Sequence, residues 1–179
     1  MSERLWAGWR MAYIQEAKSA GGSTECLFCG LASQVASVQS LVLERYRHGF
    51  LMLNAFPYTT GHLMVAPYSH TESLLGDGAD ARAEIHAALE RARRALVSEY
   101  RPDGFNLGAN LGRAAGAGVL GHLHWHLVPR WVGDTNFVPA LTSVRVLPEA
   151  LPDTYQRLRA ALERISPEEL EIEKGEPRG

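Results

Sequence analysis

The stretch His122-Leu123-His124-Trp125-His126-Leu127-Val128-Pro129 constrains this chain more than any other part of it. Histidine recurs at every second position, with bulky apolar residues between. Successive side chains of a β-strand point to opposite faces, so the three imidazoles share one face and Leu123, Trp125 and Leu127 the other. One face therefore asks for a core, while the other carries polar rings that need partners when buried. An imidazole with an ordinary pKa of about 6.5 is largely neutral near pH 7, hence able to attack or to bind metal. Two chemistries use such a row: ligation of zinc, and covalent catalysis in which one histidine attacks while its neighbours orient it or hold the substrate. The bland alternative is a surface histidine cluster, against which the strand-period spacing speaks.

The chain has 179 residues, 46% hydrophobic and 21% charged, enough for one domain with a full core. A net charge of -2 gives no general reason to expect a nucleic acid partner, although a small site can still attract phosphates locally. No apolar run approaches the roughly 20 residues of a membrane span. The start, Met1-Ser2-Glu3-Arg4-Leu5-Trp6, lacks the charged-then-apolar pattern of a signal peptide. The expectation is a cytoplasmic protein without a membrane partner. In that compartment the two cysteines, spaced Cys26-Leu27-Phe28-Cys29, are either a redox motif or a metal half-site. A thioredoxin-like βαβ setting is missing around them. Two imidazoles would complete a tetrahedral zinc site.

Residues 1–22 read as an N-terminal arm, 23–148 as the main domain, 149–166 as a C-terminal helix and 167–179 as a disordered tail. Strands are expected near 41–47 and 50–55, joined at His48-Gly49, and over 62–66 after the turn Pro57-Tyr58-Thr59-Thr60-Gly61. The spacing of Ile85, Leu89, Ala92 and Leu96 predicts a helix over 80–100, with Asp77 or Asp80 at its cap and Pro102 past its end. His86 on that helix reads as a solvated residue. A strand over 105–111 precedes the histidine strand. The pattern is α+β: an antiparallel sheet of about five strands with one long helix packed on it and a C-terminal helix.

Between those last two strands lies a glycine- and alanine-rich segment, residues 110–121. Small residues let backbone amides approach an anion closely, although such turns are common without a ligand. Here the loop delivers the chain directly into the three histidines. Phosphate beside a nucleophilic imidazole points to phosphoryl or nucleotidyl transfer. Arg113 either adds charge there or lies solvated.

The string His122-Leu123-His124-Trp125-His126-Leu127-Val128 resembles the motif of the histidine-triad (HIT) family, and Gly61-His62-Leu63-Met64-Val65-Ala66-Pro67 resembles its earlier strand. Four further segments are similar to the branch containing bacterial diadenosine tetraphosphate phosphorylases. They are Leu5-Trp6, Arg10-Met11, Gly104 through Gly112, and Pro129-Arg130-Trp131-Val132-Gly133-Asp134-Thr135-Asn136-Phe137. The resemblance spans about residues 5–155.

It implies a HIT-like fold and nucleotide chemistry at an α-phosphate. By position His124 is then the nucleophile, forming a covalent nucleotidyl-histidine, with His126 on the phosphate and His62 supporting from the neighbouring strand. The central imidazole is also the one with an imidazole on each side. The resemblance further places Asn54 on a ribose and Asn110 on phosphate; the glycine-rich loop itself offers the amides of Gly116 and Gly118 to the substrate. Leu53, Phe56 and Pro57 line either a base pocket or plain core. Some relatives bind structural zinc through two cysteines and two histidines, which here are Cys26, Cys29, His70 and His122. The implied partners are a nucleotide substrate, inorganic phosphate as co-substrate, and a second copy of the chain, a homodimer for which an exposed sheet edge gives a physical motive.

One departure stands out. Many relatives carry Gln or Ser just before the triad to handle the leaving group, where this chain has Gly118-Val119. The expected activity is phosphorolysis of diadenosine tetraphosphate to ADP and ATP. Its rivals are a hydrolase of dinucleoside polyphosphates or nucleoside phosphoramidates, and a zinc-stabilised nucleotide-binding module that signals through a partner.

Overall fold

A computed structural model describes residues 26–75, 77–134 and 149–166. The expected N-terminal arm and the tail over 167–179 lie outside the described residues, as do residues 135–137. Strands β1 (Val42–Arg45), β2 (Gly49–Leu53) and β3 (Leu63–Pro67) form a meander. Strand β4 (Gly104–Ala109) and the histidine-bearing β5 (Trp125–Arg130) complete a five-stranded antiparallel sheet of order β1-β2-β3-β5-β4. Every residue of the first three strands is buried, so β2 and β3 are continuous apolar runs rather than alternating ones.

The two faces are covered differently. Over one lie a six-residue helix, α1 (Leu27–Ala32), and the loop before β5. Over the other lies the long helix α2 (Gly78–Tyr100), with α3 (Leu151–Arg164) beside it. Ile85, Leu89, Ala92 and Leu96 all enter the larger core, with Leu51, Leu53, Leu63, Val65 and Leu127 from the sheet. Ala88 and Ala95 on the same stripe are fully buried, and their small size lets the helix lie close on the strands. Phe28 and Leu31 of α1 cover Phe50, Met52, Met64 and Ala66 on the opposite face. None of the described helices is long and apolar enough to cross a membrane.

Three details refine the expectations. Asp77 does hold the N-cap position of α2, but its side chain makes no capping hydrogen bond and instead accepts one from the Ser69 hydroxyl. The ladder of β5 begins only at Trp125, because the Leu123 amide donates to the Thr71 carbonyl at 2.6 Å. His122, in a bend, and His124 thus precede the strand. Finally, β1 carries a bulge: Val42 pairs with Met52 and Glu44 with Leu51, leaving Leu43 as the extra residue. The bulge turns Glu44 toward α2, where fully buried Arg91 grips it through two nitrogens at 2.7 and 2.9 Å. Arg91 also donates to the carbonyls of Leu162 and Ile165 at 2.6 Å each, and the Tyr46 hydroxyl donates to Glu44 at 2.9 Å. One buried cation thereby ties β1, α2 and the end of α3 together.

Candidate active site

The sheet face opposite α2 gathers the histidines. His124 is 4% exposed, and its Nδ1 lies 2.9 Å from the carbonyl oxygen of His122. A carbonyl only accepts, so Nδ1 carries the proton and Nε2 is left with a lone pair. Burial holds the His124 pKa below the ordinary imidazole range, against the opposing pull of that carbonyl. The ring is therefore neutral at pH 7 with its basic nitrogen already assigned.

A second chain of contacts fixes His126. His62, fully buried just before β3, has Nδ1 facing two donors, the Tyr58 amide at 3.1 Å and the Asn54 Nδ2 at 3.3 Å. Both are donors, so Nδ1 accepts, and the proton belongs on Nε2. His62 Nε2 lies 3.0 Å from His126 Nδ1, so it donates there and leaves His126 protonated on Nε2. That last N–H is buried with no partner among the described residues. An orphaned buried donor costs about 1–3 kcal/mol, which makes it a strong candidate for an anionic ligand. Burial, and then the neighbouring His124, push the His126 pKa down to about 4. The His124 and His126 rings stand edge to face at 4.9 Å, an acceptor nitrogen and a donor nitrogen side by side.

The other expected residues divide. Asn54 is held by its backbone to His62 and accepts the Phe56 amide at 2.9 Å, an Asx turn that aims Nδ2 at the imidazole. Asn110 follows β4, one residue beyond the Ala109–Trp125 pair, and lines a cleft with Gly121 and His122. Its Nδ2 reaches the Gly116 carbonyl at 3.5 Å. Gly116 closes a short 3₁₀ turn, Arg113–Ala115, in the left-handed conformation; Gly118 is exposed farther along, and Ala117 and Val119 form the cleft wall. Leu53 belongs to the larger core, while Phe56 is exposed. Tyr58 and Phe28 were not singled out by the motifs. The ring of Tyr58 lies 4.6 Å from His62, and that of Phe28 lies 4.7 Å from His124. Each stands inside a segment that the sequence does flag, the turn before His62 and the cysteine pair.

Behind the triad, Cys26, Cys29, His70 and His122 bring two Sγ and two Nδ1 atoms within 4.8 Å of one another. The closest approaches are Cys26 to His122 and Cys29 to His70, both 3.3 Å, and Cys29 to His122, 3.6 Å. Edges of a Cys2His2 zinc tetrahedron are about 3.3–3.8 Å, given the usual zinc–sulfur and zinc–nitrogen bonds. His122 Nε2 donates to the Pro67 carbonyl at 2.9 Å, which frees Nδ1 to ligate, as an outer-shell partner of a zinc histidine does. Burial first, then the neighbouring Cys26, raise the Cys29 thiol, and a divalent cation would favour the thiolates that ligate it. The residues fit zinc. Gly121, with φ +77, makes the approach possible, because a Cβ there would lie 2.9 Å from His70 Nε2.

A sheet strand carrying one imidazole and preceded by two more, each ring with its proton fixed by a hydrogen bond, is the arrangement of a histidine triad protein. The chain belongs to the family of the HIT domain, which matches residues 36–132. Among curated relatives it is similar to the AP-4-A phosphorylase of Mycobacterium tuberculosis, 39% identical over 162 residues, 87% of this chain and 82% of that protein. Among solved structures it is similar to a zinc-bound histidine triad family protein of Mycobacterium smegmatis, with TM-score 0.62 and 31% identity over 80% of this chain and 96% of that one. A hypothetical histidine triad nucleotide-binding protein from Sulfolobus tokodaii aligns with TM-score 0.62 and 26% identity, covering 77% and 92%.

Proposed function

We propose that this protein cleaves diadenosine tetraphosphate by phosphorolysis, through an adenylyl group carried on His124. The observation that carries the reading is the hydrogen bond from His124 Nδ1 to the His122 carbonyl, which keeps the proton on Nδ1 and leaves Nε2 with the lone pair of a nucleophile. Similarity to an AP-4-A phosphorylase over most of both chains supports the substrate.

In the first step Nε2 of His124 forms a bond to the α-phosphorus while the bond from that phosphorus to the bridging oxygen breaks. ATP leaves, and the ring, keeping its Nδ1 proton, becomes cationic. The Nε2–H of His126 donates to a phosphoryl oxygen and grows stronger as negative charge develops there. His62 keeps that donor in place. In the second step an oxygen of inorganic phosphate attacks the same phosphorus, the P–N bond breaks, and ADP is released. ATP leaves as a stable anion, so a dedicated acid is less necessary at the position that holds Gly118-Val119 here; the amide of Gly118 would serve the leaving oxygen. Asn54 is assigned to the ribose, and Asn110 with the amide of Gly116 to the phosphates. Cys26, Cys29, His70 and His122 would hold zinc, which when bound supplies four fixed bonds and no open catalytic position. The protein is proposed to act in the cytoplasm as a homodimer.

Incubating the protein with diadenosine tetraphosphate, with and without inorganic phosphate, tests the reaction. ADP and ATP forming only when phosphate is present is the expected result. AMP and ATP forming regardless of phosphate would make the protein a hydrolase.

A further inference from the structure

We propose that Phe28 is a positioning residue for His124, seated on the nucleophile's ring by the two cysteines that flank it; the inference rests on the nucleophile assignment made above. Helix α1 has six residues, too few to persist without anchors. At its C-terminal end Arg45 is the anchor, donating to the carbonyls of Leu31 and Ala32 at 2.7 and 3.0 Å and also to that of Gln34. At its N-terminal end the anchors are Cys26 and Cys29, facing His122 and His70.

Phe28 lies between those cysteines and is 1% exposed. Its ring rests against His124 at 4.7 Å, His122 at 5.1 Å and Phe50 at 6.5 Å. His122 is common to both connections. Its Nδ1 faces the cysteine sulfurs, and its carbonyl holds the Nδ1 proton of His124. The cysteine–histidine cluster therefore reaches the nucleophile twice, once through the His122 backbone and once through the Phe28 ring. When His124 takes the adenylyl group its ring becomes cationic, and the Phe28 face lies within the range at which an aromatic ring attracts a cation. Leucine in its place keeps apolar bulk but removes both the flat support and that attraction.

The test uses the full chain carrying ¹⁵N-labelled histidine and one equivalent of zinc(II), with imidazole tautomers read by NMR. One arm removes zinc from the wild-type protein with a chelator; the other examines zinc-loaded Phe28→Leu. In both arms His124 is expected to lose its single Nδ1–H tautomer while His62 and His126 keep theirs. Phe28→Leu should also retain its zinc, and slow adenylylation by about tenfold or more with KM within about twofold, as a small misplacement of a nucleophile does. Should the stripped protein lose its helical signal, the Phe28→Leu arm decides alone. An unchanged His124 tautomer and an unchanged adenylylation rate in that variant would overturn the proposal. If His124 responds as expected but wild type turns over no diadenosine tetraphosphate, the proposed function fails and the positioning role stands.

Discussion

At the scale of the residue, what separates His124 from His126 is which nitrogen holds the proton. His124 gives its Nδ1 proton to a carbonyl, and His126 receives at Nδ1 and presents Nε2–H. Both pKa values are lowered by burial, that of His126 to about 4. Protonation of His124 would consume the attacking lone pair, so activity falls as pH falls through its folded-state value, which lies below the ordinary 6.5. The kcat/KM profile is therefore expected to stay flat from neutral pH to below 6.5 before its acid limb. A limb at or above pH 7 would show that His124 is not held neutral by burial. The identity of the central histidine was legible from its strand spacing. Its carbonyl partner was not, because a backbone acceptor leaves no mark on residue identity.

Elements place these residues through features with uneven traces in sequence. The helix over 80–100 and its apolar stripe were readable, since an apolar period of 3.6 residues sustained over several turns suits a helix and no strand. The β1 bulge was not, because an extra residue inside a buried run looks like any other apolar position. Glu44, beside that bulge, is the carboxylate that Arg91 grips. Removing the cation by Arg91→Ala should leave the Glu44 charge buried with no cation against it and cost about 3–5 kcal/mol, read from urea unfolding. A loss under about 1 kcal/mol would mean that solvent reaches the carboxylate. The cysteine pair read as a metal half-site or a redox motif, but the role of Gly121 depends on how closely His70 approaches it. Gly121→Ala strains a left-handed backbone and pushes on His70, so zinc affinity should fall about tenfold or more in a chelator competition. Unchanged affinity would show that His70 yields without cost.

For the whole molecule, the sheet order leaves β4 with no strand on its outer side among the described residues, and Leu107 on that strand is exposed. An unpaired edge of this kind seeks a partner. Light scattering should give twice the 19.7 kDa chain mass, and a monomer at micromolar concentration would remove the dimer from the proposal. The fold and the clustering of the imidazoles were legible together because one motif sets both the strand and the residues beside it; the choice between phosphate and water as acceptor belongs to neither. The most direct measurement is intact mass after rapid mixing with diadenosine tetraphosphate, without phosphate and quenched in base, where a P–N bond survives. One adenylyl group per chain, mapped to His124 and discharged to ADP when phosphate is added, is the expected result. Turnover with no adduct, or an adduct that persists in the His124→Ala protein, would contradict the covalent mechanism.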